Sequence, residues 1–486
     1  MPAIITNKFR INNSQQFYNS FSSTNYYLGI GRPQAFSISE TRGDGRTVNE
    51  GTDAAPLTPI DSVSSEYNTY SDVLAVKKIQ STDITYSIPR RNWTTGTVYD
   101  IYRHDYGEYI TGTTTQITSY SGAYTLWDST FYVLTSDFNV YKCLDNYNNS
   151  PSTVMPTGTS TSIIQTSDFY KWKYMYTLSA SQQSNFLSTD FMAVATNSTV
   201  SSAAIAGAIN IVKIKTAGTN GLNGTYTNIP IRGDGRNGTV SVVVAGGGVY
   251  SVSITNIGTG YSFAYIKNSD IVAAGATNLV GSELDCIIEP TGGHGYDAVK
   301  ELGGYFVLVN VVLNGNEIAN SGDFTVANDF RRIILIKNPT SSGSLATANT
   351  LRATKAINFA NTPTPGTFVA DEVITQASTG AVGKVVEWDS TNNILYYIQT
   401  RFTNEGIDNN GNQTQFSGVN IVTGSSSGAT GTPSTTNSTI NNVAFVSGYS
   451  SPELDQKSGD IIYAENRAPI ARAADQTENI KLVIEF

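Results

Sequence analysis

His104 stands directly before Asp105 in a serine-rich chain, and these are the residue types of a Ser–His–Asp hydrolase. No G-x-S-x-G elbow or other nucleophile context accompanies them, so a surface role for His104 is expected. The only other histidine, His294, lies in TGGHGYDAV at residues 291–299. Asp285, Glu289 and Asp297 are close to it in sequence, but their spacing matches no zinc site, and the flanking glycines predict a turn. A glycosidase would need two carboxylates facing one bond. Asp44 with Glu50, or Asp371 with Glu372, could be read so, yet acidic residues at such spacing are common on any surface. RGDGR occurs twice, at residues 42–46 and 232–236, where a Gly-Asp-Gly turn between extended segments is expected instead of a receptor ligand. No phosphate-binding or dinucleotide fingerprint is present. The expectation is therefore no catalytic residue, no cofactor and no metal.

Residues that suit protein–protein contact stand out more. Arg90, Arg91 and Trp93 follow Pro89, which fixes a bend, and Arg and Trp are favoured at interface hot spots. Glu465, Asn466 and Arg467 precede Pro469 in a rigid stretch between strands. Both groups are candidate interface residues. Packing inside the monomer is the competing reading for each.

The elements that position these residues are mostly strands. Asn12, Asn13 and Ser14 can cap a short helix carrying Phe17 and Phe21. Residues 26–30 read as a strand stopped by Gly31-Arg32-Pro33. A helix is expected over 64–78, with Tyr67, Tyr70 and Leu74 as its apolar stripe. Hairpins are expected at 131–145, turning at 136–139, and at 240–254, turning at Gly246-Gly247-Gly248. Longer apolar strands follow in YFVLVNVVL and RRIILIKNP. ASTGAVG (377–383) and SSSGATG (425–431) form a weak repeat, each after a short strand-like run; the stretch 424–439 could also be a flexible loop. The final NIKLVIEF alternates apolar and polar residues as a half-buried strand does.

Composition agrees. Charged residues are 14%, well below the usual ~25%, and Gly, Ser, Thr and Asn fill the gap, which favours short strands and many turns. Aromatics at 10% argue against disorder. A net charge of −9 with no basic run longer than a pair argues against nucleic acid as the main partner. No stretch reaches the ~18 apolar residues of a membrane span, and residues 1–21 lack a secretory h-region. Cys143 and Cys286 lie far apart in apolar runs and read as buried free thiols, in keeping with folding in a reducing cytoplasm. Length and the Gly-rich shift after residue 200 suggest a discontinuous core (1–200, 294–354, 443–486) with small β-domains inserted at 201–293 and 355–442.

Several strings carry a family resemblance. They are TNKFR (6–10), FYNSF (17–21), LGIGR (28–32), IPRRNW (88–93), VYKCLD (140–145), YKWKYMYTL (170–178) and RRIILIKNP (331–339). The most specific is IIYAENRAPIARAADQTENIKLVIEF (461–486). In order and spacing they resemble the baseplate wedge subunits known as gene product eight in T-even-type contractile-tailed phages, over roughly residues 1–190, 296–345 and 444–486. The two Gly-rich segments have no counterpart in the T-even protein. The resemblance implies a mainly β protein with a layered β-sandwich core and a few short helices in loops. It implies a homodimer that joins other wedge proteins in the tail baseplate of the virion, the assembly that triggers sheath contraction. It implies no enzyme, with no catalytic residues to carry over; the charge and hydropathy read above add no nucleic acid and no membrane insertion to the expectation. A receptor-binding tail fibre or adhesin, or a tail-associated polysaccharide hydrolase, would show long repeats or a concave acidic cleft instead.

Overall fold

The structure is a computed structural model that describes residues 4–41, 46–314, 328–400, 406–408, 410, 412–471 and 477–486. It is mainly β, with 40% strand and 11% helix, and the strands of the sheets described below pair antiparallel. The first RGDGR copy, Asp44 included, falls largely outside the described residues. The chain divides into two compact units, formed by residues 1–18, 85–308 and 483–486, and by residues 19–84 and 309–482.

In the first unit the 131–145 hairpin forms as expected, with Tyr132 opposite Lys142 and Leu134 opposite Val140. It extends into a four-stranded sheet through Lys171–Thr177 and Ile164–Gln165. Both faces of this sheet are covered. Tyr141, Cys143, Trp172 and Tyr174 pack in one apolar cluster, and Tyr132, Val140, Leu144 and Met175 in another. Burial on both faces explains why YKWKYMYTL reads as a continuous aromatic run and not as an alternating one. Lys142 shares the second face, so its ammonium is carried into the interior.

Residues 209–288 of the same unit close a separate apolar cluster. Its centre is the sheet of Gly224–Pro230, Thr239–Ala245 and Gly248–Asn256. Val240, Val242 and Val244 point inward at 0–2% exposure, and each contributes about 1.5–3 kcal/mol by burial. The hairpin turns at Gly246 (φ 64°) and Gly247 (φ 83°), a conformation that glycine adopts without strain.

The second unit holds a five-stranded sheet in the order Thr350–Arg352, Val73–Lys78, Tyr26–Gly31, Phe330–Lys337, Asp460–Ile470. Tyr26–Gly31 is buried throughout, and a Cβ on Gly29 would come within 2.7 Å of Ile334. A seven-stranded sheet builds the other half, and the two repeat runs are hydrogen-bonded neighbours in it, with Ile374 opposite Gly424. That sheet runs past residue 442 to take in Tyr449–Ser450.

Two local expectations are corrected. The helix expected over 64–78 ends at Ser71, and Val73–Lys78 is a strand. Val73, Leu74, Ala75 and Val76 are all buried, as in a strand covered on both faces, and the apparent helical stripe leaves Tyr67 43% exposed. The first helix spans Asn7–Ser20, so residues 12–14 lie inside it and do not cap it. Thr6 stands at its start, accepting a hydrogen bond from the Phe9 N–H.

Candidate functional site

In the first unit, a pocket of about 810 Å³ opens beside the N-terminal helix. Lys8, Ile11, Asn12 and Gln15 line it from one helical face, at the i, i+3, i+4, i+7 spacing. The helix is held from its other side. Ser14 donates to the Gly304 carbonyl at 2.9 Å. Arg10 bonds Glu485 and the Phe486 carbonyl and lies 3.9 Å over the Tyr305 ring. Phe17 packs on Phe486 at 5.3 Å. The apolar C-terminus is thus a clasp for the helix.

The floor of the pocket rests on a buried charge cluster. Lys142, with a fully buried side chain, pairs with Glu301 and lies 4.9 Å over the Tyr102 ring. Glu301 also accepts from the N–H groups of Gly295 (2.8 Å) and Asp297 (3.2 Å). Glu289 accepts from the Asn210 amide and from the His294 N–H at 3.3 Å. The TGGHGYD segment makes this possible. Gly292, Gly293 and Gly295 all have φ near +90°, and a Cβ at Gly293 or Gly295 would strike Ile205 or Val200 within 2.5 Å. The segment is a turn, as its glycines predict, and it wraps its N–H groups around two buried carboxylates.

Burial pushes the Glu289 carboxyl up to about 7. Burial, with Lys142 and Lys173 nearby, holds His294 well below the usual imidazole range, so it is neutral. His294 and Glu289 approach to 3.8 Å, but Asp285 pairs with Arg103 and Asp297 with Lys300. Among the described residues no three His, Cys, Asp or Glu side chains gather as a metal site. Asp105 is gripped by Arg103 through two bonds of 2.8 and 2.6 Å, and His104 Nδ1 accepts from the Ile288 N–H. Those bonds leave the neighbours no triad geometry. Glu372 is held by the N–H and hydroxyl groups of Ser426 and Ser427, and so fastens the second repeat turn. Burial pushes both cysteine thiols up, Cys286 to about 12, so neither is poised as a nucleophile.

The second RGDGR copy is a locked turn. Asp234 accepts from the Ser262 hydroxyl and from the N–H groups of Ser262 and Phe263, which hold its carboxyl down at about 2. Arg232 pairs with Asp270 at 2.9 Å.

The structure places the candidate interface residues as follows. Arg91 donates to the carbonyls of Ser129 and Trp127 and lies 4.7 Å over the Tyr132 ring. Arg90 donates to the Ser188 carbonyl at 2.7 Å, and Trp93 to the Ser152 hydroxyl at 3.1 Å. In the second unit, Asn466 bridges Arg332 and the Leu57 carbonyl. Glu465 accepts from the Tyr463 hydroxyl, and Arg467 lies 3.8 Å from it with 42% of its side chain exposed. Arg91→Ala is expected to cost at least about 3.5 kcal/mol, the low-end sum of two charged hydrogen bonds and a cation–π contact. Thermal unfolding reads this directly. An unchanged melt with failed assembly would put Arg91 at an interface instead.

Sequence reasoning missed Lys142, Glu301, Tyr102 and Lys8. The signal that could have found the cluster is a Gly-rich turn flanked by glutamates, opposite a lysine inside an apolar strand.

Among curated proteins no sequence relative matches. The sequence model of the family described as Bacteriophage T4, Gp8 matches residues 3–155 and 407–486. Residues 156–190 and 296–345, which carry further strings of the resemblance, lie outside the matched segments, while 407–443 lies inside them. The matched parts contain the N-terminal helix, the 131–145 hairpin and the C-terminal clasp. At both ends, residues 3–155 and 407–486, the chain is similar to the Gp8 family of structural baseplate wedge proteins, components of the tail baseplate of the phage virion.

Proposed function

We propose that the protein is a non-enzymatic wedge subunit that pairs with a second copy of itself and joins other wedge proteins into the baseplate that triggers sheath contraction. The observation that carries this reading is the family match at both ends of the chain. The chemistry of the charged groups agrees with it. Among the described residues, Asp105, Asp285, Asp297, Glu301 and Glu372 are bound into turns, ion pairs and a buried cluster. Arg467, with its exposed guanidinium, is the leading interface candidate among the six residues singled out; Glu465 and Asn466 are proposed to shape the surface beside it, and Arg90, Arg91 and Trp93 a contact surface of the first unit. The separate apolar clusters of residues 209–288 and of the seven-stranded sheet support reading the Gly-rich segments as insertions in the wedge fold.

Sedimentation velocity tests the pairing. The purified chain is expected to run as a dimer, and its interface to bury more than roughly 1,000 Å². Mixed with the other wedge proteins of the same phage, it should shift to a faster species. A monomer that shifts with none of them would overturn the reading.

A further inference from the structure

We propose that Lys142 and Glu301 join in an amide bond, a cross-link within the chain between the strand Asn139–Asp145 and the helix Ala298–Leu302. The bond lies in the first unit and is independent of the wedge reading. It closes a ring that takes in the whole 209–288 cluster.

The site holds each part that such a bond needs. Nucleophile and target are in contact, since Lys142 Nζ donates to Glu301 Oε2. The two side chains are 0% and 3% exposed, so bulk water does not separate them. The other carboxyl oxygen, Oε1, accepts from the Gly295 N–H at 2.8 Å and from the Asp297 N–H at 3.2 Å. Two backbone N–H groups on one oxygen make an oxyanion hole, placed to hold the charge that collects there when nitrogen attacks the carbon. A proton carrier stands beside it. The consecutive N–H groups of His294 and Gly295 reach Glu289 and Glu301, so the two carboxyls are neighbours on one turn. Burial pushes Glu289 up to about 7, so a large share of it carries a proton at neutral pH. An ion pair calls for one carboxyl, and this site holds a second that is already protonated.

The step balances without an outside reactant. One proton passes from the Lys142 ammonium to the Glu301 carboxylate, giving amine and acid with no net charge in the interior. The amine lone pair attacks Cδ of Glu301, and the carbonyl electrons move onto Oε1 under the two N–H groups. Glu289 gives a proton to the hydroxyl at Oε2 and takes one from the attacking nitrogen. The C–O bond breaks, water leaves, and Glu289 ends as it began. An ammonium and a carboxylate have become an amide and one water, and nothing is oxidised or reduced. Glu289 and Glu301 both line the pocket beside the N-terminal helix, which gives the water its exit. Folding brings the pair together as ions, and the bond closes afterwards as a unimolecular reaction between groups already in contact. Closure ties residues 159 apart in the chain, and so widens the stability gap between wild type and any variant that lacks a partner.

The intact mass of the purified full chain, measured in denaturant, tests this and needs no variant to fold. The expected mass is one water, about 18 Da, below that of the sequence. Digestion should yield a branched peptide in which the Lys142 and Glu301 side chains are joined. Lys142→Met should keep the full mass. Chain isolated unfolded and then refolded should start at full mass and lose the water with time. Glu289→Gln should slow that loss by about a hundredfold, the usual reach of a positioned proton carrier. Full sequence mass in refolded wild-type chain held for days at neutral pH overturns the proposal and leaves the pair ionic. A lost water that maps to a succinimide, or that persists in Lys142→Met, overturns it equally. Glu289→Gln chain that closes as fast as wild type overturns the mechanism given for Glu289.

Discussion

Glu301→Gln is expected to lower the stability of the protein by about 3–5 kcal/mol. The change keeps the shape of the side chain and removes its charge. Lys142 would then be a fully buried ammonium without its carboxylate, with only the Tyr102 ring face and more distant Glu289 as compensation. Breaking a buried pair from one side costs far more than the pair itself contributes, because the remaining ion has lost its water and found nothing in return. The reverse change is expected to be milder. In Lys142→Met, Glu301 keeps the N–H groups of Gly295 and Asp297. The double variant should therefore recover much of the loss. Denaturant unfolding of the three variants measures this. A Glu301→Gln protein within 1 kcal/mol of wild type would mean that water or another group reaches Lys142.

Asp72→Asn should destabilise the second unit by a similar amount, about 3–5 kcal/mol. Asp72 closes the helix Val63–Ser71 and enters the strand Val73–Lys78 with its side chain 3% exposed. Arg332 donates to both its oxygens, at 3.0 and 3.3 Å, and Arg32 stands 3.9 Å away. Arg32 has a second anion in Glu50 at 2.8 Å; Arg332, 6% exposed, has among the described residues the neutral Asn466 and Thr69 besides. The substitution therefore strands one guanidinium and not two. Arg332→Met in the same background should relieve part of the loss, and the comparison separates the charge effect from simple loss of packing. Equal stability of Asp72→Asn and wild type would contradict this account.

These two clusters also show where the sequence was legible. Hairpins could be read because glycine turns and alternating valines act locally. Gly246-Gly247 and Val240, Val242, Val244 are where the pattern puts them. The long strands Phe306–Asn314 and Phe330–Lys337 were visible as apolar runs. The C-terminal strand was visible as an alternation that buries Ile480 and Leu482. The helix expected to reach residue 78 failed because Tyr67, Tyr70 and Leu74 satisfy a helical period by chance, while the fate of residues 73–76 is decided by flanking strands from distant parts of the chain. The candidate site was less legible for the same reason. Lys142 and Glu301 are 159 residues apart, and nothing local in either segment names the other. His294 and Glu289 drew attention as rare or acidic residues, but what they do depends on Lys142 and Asn210. Arg91 was noticed for its type, and only its carbonyl partners show how the side chain is used. Function was legible through collinear strings rather than through any site, because fold and composition alone assign no chemistry.

The most direct test of the central claim is a reconstruction of the tail tip of the phage that encodes this chain. Density for the chain is expected in the baseplate wedge, present as paired copies. Density for the chain only at the distal end of a tail fibre, or its absence from the baseplate, would contradict it.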